Sequence, residues 1–171
     1  LGLEPTDNYL IINPFFHSFG YKAGWLATMI AGATAFPQAI FDVPTVIEQI
    51  ERHGINVMPG PPTLFQSLLD HEDFDREKLK TLSKATTGAA VIPTQLIEDM
   101  WQKLGIDTVI TAYGLSETCG LVTMCRQGDD AETIATTSGR SIPGIEVAIF
   151  DDQGNALPAM ETGEIVVKGY N

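Results

Sequence analysis

Asp107-Thr108-Val109-Ile110-Thr111-Ala112-Tyr113-Gly114-Leu115-Ser116-Glu117-Thr118 is the stretch on which the fold turns. Its first part is rich in β-branched and aromatic residues and reads as a buried strand over Asp107 to Tyr113. The polar, glycine-bearing run after it reads as a turn at the strand's carboxyl end. Upstream, Pro93 opens a helix with Leu96, Ile97, Met100, Trp101 and Leu104 on one side, and Gly105 closes it. Before that helix, Lys84 to Thr87 reads as a strand leading into Gly88-Ala89-Ala90. Strand, turn, helix, strand, turn is the rhythm of a parallel sheet covered by helices.

The same rhythm extends to the start of the chain. Tyr9 to Ile12 reads as a buried strand closed by Asn13-Pro14, and Tyr21 to Ala31 as a helix stopped at Gly32. Thr34 to Phe36 is a short strand. Asp42 and Thr45 are cap candidates for a helix whose stripe is Val46, Ile47 and Ile50 and whose stop is Gly54. Ile55 to Met58 reads as a strand broken by Pro59-Gly60-Pro61-Pro62; Leu64, Phe65, Leu68 and Leu69 then repeat at helical spacing. His71 to Lys80 is charged and reads as a solvated turn or short helix. After Thr118 the pattern changes. Gly120 to Met124, Glu146 to Phe150 and Glu164 to Lys168 read as short strands, with a hairpin turn at Asp151 to Asn155. The expected fold is therefore α/β: a parallel sheet flanked by helices over residues 1–120, followed by a small β-subdomain over residues 121–171.

Composition narrows the function. With 10 Lys and Arg against 22 Asp and Glu, the 171-residue chain carries a formal charge of −12. A protein that tracks nucleic-acid phosphates needs the opposite sign, and anionic membrane surfaces repel it too. No apolar run approaches the roughly 20 residues of a membrane span, so no stable membrane insertion is expected. Cys119 and Cys125 match no common zinc or redox spacing, which favours a reduced, cytoplasmic chain. The chain opens on Leu1 and stops at Asn171 just past a strand-like run, and both ends are expected to be cut from something longer.

In an open parallel sheet, ligands bind beyond the carboxyl ends of the strands. Three segments are expected there: Asn13 to Gly20, Thr86 to Ala90, and Thr111 to Thr118. In the third, the Tyr113 ring offers a stacking face and the Ser116 hydroxyl a phosphate donor. The Glu117 carboxylate is a hard oxygen ligand suited to Mg²⁺. Taken alone, such a tripeptide is more often a plain strand-end turn. Small residues at Gly88, Ala89 and Ala90 let a flat ring or acyl chain approach the backbone, although a tight turn needs a glycine anyway. His17 sits among aromatics, where a histidine is more often a packed residue than a catalyst. No metal-ligand set, serine-nucleophile elbow, Walker loop or dinucleotide fingerprint is present.

At these residues the sequence resembles the adenylate-forming, AMP-binding superfamily of acyl- and aryl-CoA synthetases, luciferases and peptide-synthetase adenylation domains. Tyr113-Gly114-Leu115-Ser116-Glu117-Thr118 resembles the family's Y-G-x-[ST]-E core, and Gly88-Ala89-Ala90 its G-G-A segment, with Ala89 in place of the second glycine. Pro14 to Gly20 resembles its P-x-x-H-x-x-G stretch, and Gly139 to Gly144 and Thr162 to Gly169 resemble later elements. Five such matches stand in family order across the chain. The resemblance implies a nucleotide site at Gly88, Ala89, Ala90, Thr111, Ala112, Tyr113, Gly114 and Ser116. It implies an acyl pocket at Phe16, His17 and Ala112, and chemistry at Glu117, Ser116 and His17, with Glu117 holding Mg²⁺.

It also implies that ATP, a carboxylic acid and CoA are the substrates, and that the phosphate loop, ribose-binding aspartate and catalytic lysine lie outside these residues. The chain alone is then expected to be inactive and to self-associate through uncovered apolar surface. The wider runs Phe15 to Gly24 and Met58 to Thr63 are most similar to fatty-acid–CoA ligases. Among these they resemble the actinobacterial ligases acting on the propionate-bearing ring remnant of steroid degradation. A non-catalytic nucleotide- or acyl-binding module and an adenylation domain that loads a carrier protein remain open alternatives.

Overall fold

A computed structural model describes residues 1–171. Five parallel strands form the centre: β1 (Asn8–Ile11), β2 (Thr34–Pro37), β3 (Val57–Gly60), β4 (Lys84–Thr87) and β5 (Thr108–Tyr113). Two short strands, β6 (Thr123–Met124) and β7 (Arg140–Ser141), extend the sheet antiparallel, giving the order β2-β1-β3-β4-β5-β6-β7. A separate antiparallel hairpin pairs β8 (Glu146–Phe150) with β9 (Glu164–Lys168). The helices are α1 (Ala27–Ala31), α2 (Val43–His53), α3 (Pro62–Leu69), α4 (Thr94–Gln102) and α5 (Ala131–Thr136). None is long and apolar enough to cross a membrane.

Side chains alternate across the strands and divide the core in two. Leu10, Met58, Ala85 and Ile110 face one side, where they pack with Val46, Ile47 and Ile50 of α2, Phe65 and Leu68 of α3, and Leu96, Ile97 and Met100 of α4. Each fully buried side chain of this kind contributes roughly 1.5–3 kcal/mol. Tyr9, Ile11 and Val57 face the other side, in a much smaller cluster with Leu1, Leu3 and Trp25 against it. The thinly covered second face leaves room for a cavity.

Helix ends follow local chemistry. Asp42 caps α2 by accepting from the Thr45 N–H at 3.0 Å and the Thr45 hydroxyl at 2.6 Å, and Gly54 stops it with φ 59°. A buried aspartate with a half-buried lysine ties the amino ends of the strands together: Lys84 Nζ donates to Asp7 at 2.9 Å, and Asn56 Nδ2 donates to the same carboxylate at 2.7 Å. Burial alone would raise the Asp7 pKa, but Lys84, the Glu4 N–H and Asn56 together hold it below the usual carboxylate value.

Several elements differ from the sequence reading. Pro59 and Gly60 belong to β3 rather than breaking it. β1 pairs with β3 only at Tyr9↔Val57, so the missing Pro59 N–H falls where that flank has no bridge partner. The helix before Gly32 begins at Phe19 as a wide π-type turn through Leu26, kinked at Gly24 (φ −91°, ψ −107°), before it tightens into α1. Of the two forms expected for His71 to Lys80, turn or short helix, the segment takes the turn. Beyond residue 120, β6 and β7 continue the main sheet, and α5 stands where only strands are expected. The element detached from that sheet is the β8–β9 hairpin.

Candidate active site

The loops after β1, β4 and β5 leave the sheet at one edge because those strands are parallel. Together with the π-type turn they enclose a cavity of about 590 Å³. Gly88, Ala89 and Ala90 line it from β4, and Thr111, Ala112, Tyr113 and Gly114 from β5. His17 and Ser18 come from the β1 loop, and Lys22, Ala23 and Ala27 from the helical wall that follows it. The three segments expected at the strand ends thus contribute to one cavity.

Backbone geometry accounts for its shape. Gly88 has φ 157°, and a Cβ there would meet Thr111 Oγ1 at 3.3 Å. Ala89 adopts φ 62°, a left-handed conformation that costs a non-glycine residue about 1–2 kcal/mol. A Cβ on Gly114 would collide with the Gly120 carbonyl, so the loop folds back on itself only with glycine there. Thr118 closes the intervening turn: its hydroxyl accepts from the Leu115 N–H at 3.0 Å and donates to the Leu115 carbonyl at 3.1 Å. Asn171 Nδ2 donates to the carbonyls of Thr118 and Leu121, at 3.1 and 2.8 Å, and pins the same loop from the chain's far end.

Ser116 and Glu117 sit on that clipped turn, exposed and outside the cavity lining. No group of three or more His, Cys, Asp or Glu side chains forms a metal cage. A lone exposed carboxylate on a rigid turn still suits Mg²⁺, which keeps several waters and is held by one or two carboxylates together with substrate phosphates. His17 accepts the Phe19 N–H on Nδ1 at 3.1 Å, so the neutral ring carries its proton on Nε2. Phe16 does not join the acyl pocket expected from the sequence: the His17 N–H bonds back to the Pro14 carbonyl at 3.0 Å, and this tight turn leaves Phe16 94% exposed. Trp25 packs beside Tyr9 and Ile11.

A family model for the AMP-binding enzyme matches residues 1–171. The chain belongs to the AMP-binding enzyme family. As an AMP-binding enzyme it is 52% identical over 96% of its length to the 3-((3aS,4S,7aS)-7a-methyl-1,5-dioxo-octahydro-1H-inden-4-yl)propanoyl:CoA ligase of Rhodococcus jostii. It is 51% identical over 99% of its length to the ligase of the same name from Mycobacterium tuberculosis. It spans 30% and 31% of the length of those relatives. Its fold superposes on a benzoate CoA ligase from Burkholderia xenovorans with a TM-score of 0.88, at 23% identity, covering 99% of this chain and 34% of that one.

Some features of this AMP-binding segment escape the sequence reading. Thr87 is fully buried and lines the cavity, and its hydroxyl has no hydrogen-bond partner. Its position inside the Thr86-Thr87-Gly88 run is visible in the sequence, but its missing partner is not. Leu1, Leu3 and Tyr9 supply apolar lining, and Thr136, Thr137 and Ser138 close another side from the end of α5. Lys22 lies among these residues; in the sequence it is one more lysine in an apolar helix.

Proposed function

We propose that the chain is part of a cytoplasmic, ATP-dependent acyl-CoA ligase that activates a carboxylic acid as its acyl-adenylate and transfers the acyl group to CoA. The observation that carries this reading is the shared cavity, in which the small-residue turn Gly88–Ala90 lies beside the strand end Thr111–Gly114. In this reading adenine lies on Tyr113 with the backbone of Gly88, Ala89 and Ala90 alongside. The Ser116 hydroxyl donates to a phosphate oxygen, and Glu117 is the carboxylate for Mg²⁺, which supplies positive charge at the phosphates. His17 Nε2–H and Ala112 border the acyl group. The acid carboxylate attacks the α-phosphorus, and the bond to pyrophosphate breaks; the CoA thiol then displaces AMP. Holding the reactants in line and screening phosphate charge is where such a site gains most of its rate.

The relatives at 51–52% identity point to an acid whose propanoyl arm is carried on an oxygenated ring. They span about three times this chain, so the activity belongs to the longer enzyme. The test is ATP–pyrophosphate exchange by that enzyme. Glu117→Gln is expected to lower the exchange rate at least about 100-fold, the scale seen when a transition-state electrostatic contact is lost. An unchanged rate would remove Glu117 from the mechanism. Micromolar AMP binding without exchange would favour the non-catalytic module, and acyl transfer to a carrier protein in place of CoA the carrier-loading reading.

A further inference from the structure

We infer that Lys22 is a specificity residue that selects acids bearing a second oxygen acceptor on the acyl group, a ring or chain carbonyl beyond the reacting carboxylate. The inference rests on the ligase reading above and refines its substrate class. Of the chain's 10 lysines and arginines, eight have a polar partner in the fold, six a side-chain carboxylate and two a backbone carbonyl. The exceptions are Lys78, exposed on the charged turn after α3, and Lys22, which is half-buried and lines the cavity. No Asp or Glu lines that cavity, and Lys22 is its only lysine or arginine, without a carboxylate partner there.

Lys22 comes from a different element than the nucleotide strip, although its stem runs beside Gly120, which packs on Gly114. It lines the cavity together with the apolar Phe19, Ala23 and Ala27 of the same helical wall, whereas Gly88–Ala90 and Thr111–Gly114 follow β4 and lie at the end of β5. Its stem passes Gly120, where an added Cβ would lie 3.3 Å from Lys22 Cδ and 3.2 Å from Ser18 Cβ. The glycine therefore gives the lysine its path along the wall. A cation held among apolar groups without a partner favours an oxygen acceptor brought in by a ligand, and one charge-assisted hydrogen bond there discriminates strongly against an analogue lacking the acceptor.

The test compares two acids of nearly equal size, cyclohexylpropanoate and its ring-ketone counterpart oxocyclohexylpropanoate, with the full-length enzyme. The wild-type enzyme is expected to prefer the keto acid in kcat/KM. Lys22→Met should reduce that preference about tenfold or more through KM for the keto acid, with KM for ATP moving less than twofold, and Lys22→Arg should restore much of the preference. A preference untouched by Lys22→Met would overturn the inference and leave the ligase reading standing. So would a loss carried by KM for ATP, which would place Lys22 on a phosphate. If Lys22→Met folds poorly, the ratio between the two acids for Lys22→Gln decides in the same way. A wild-type enzyme that turns over neither acid nor any other carboxylate would overturn both readings.

Discussion

At the residue scale, the site is built from conformations that side chains normally avoid. Ala89 and Cys119 hold φ values of 62° and 54° at two of the loops bordering the cavity. Strain of this kind persists where the surrounding structure over-determines it. The Thr118 clip and the two Asn171 bonds provide that on the Glu117 side. Away from the site, Asp7 is only 3% exposed and is paired with Lys84. Because its native pKa is depressed, the pair's contribution is fully present above the unfolded value near about 3.9 and is lost as pH falls through the lower native value. Asp7→Ala leaves the half-buried Lys84 without its anion, though still bonded to the Gly2 carbonyl, and is expected to cost about 1–3 kcal/mol in urea unfolding at neutral pH. The difference from wild type should shrink as acid is added below the unfolded carboxylate range. A difference independent of pH would contradict the assigned role of the ion pair.

At the element scale, the cavity's helical wall depends on glycine. A Cβ on Gly20 would collide with the carbonyl oxygens of Pro14 and Asn13, and one on Gly24 would sit 3.0 Å from Ile11 Cγ2. The π-type turn therefore lies close against the loop after β1. Gly20→Ala is expected to cost roughly 1–3 kcal/mol by chemical denaturation and to widen the wall that carries Lys22. No loss of stability would mean that the wall does not rest on that contact. Much of this level is legible in the sequence. The strands at Lys84–Thr87 and Thr108–Tyr113 and the stripes of α2 and α4 follow from β-branched runs and helical spacing. The wide turn at Phe19–Leu26 is not legible, because a search at 3.6-residue spacing looks for α geometry alone. Helix α5 is six residues long and Thr-rich, with too short a stripe to register. Pro59 reads as a breaker because the sequence does not show that β3's flank toward β1 is almost unpaired.

At the scale of the whole molecule, the core is lopsided. One sheet face carries the large helical core and the other a small cluster beside the cavity. Met29, Ile30, Ile40, Val91 and Met160 are exposed, while the chain's net charge of −12 opposes association at low salt. The isolated chain is therefore expected to self-associate as salt screens that charge, read as mass growth in light scattering. A monodisperse monomer at every ionic strength would contradict this. The strand-end site is legible at this scale because parallel strands bring their carboxyl ends to one edge. The positions of Ser116 and Glu117 on the rim, and the exposure of Phe16, depend on turn closures that residue order alone does not reveal.

The central claim concerns where adenine lies. A crystal structure of the full-length enzyme with ATP and Mg²⁺ tests it most directly. The purine should stack on the Tyr113 ring beside Gly88–Ala90, with Glu117 facing the triphosphate. A nucleotide bound away from that cavity, or one whose phosphates lie out of reach of Glu117, would contradict the account.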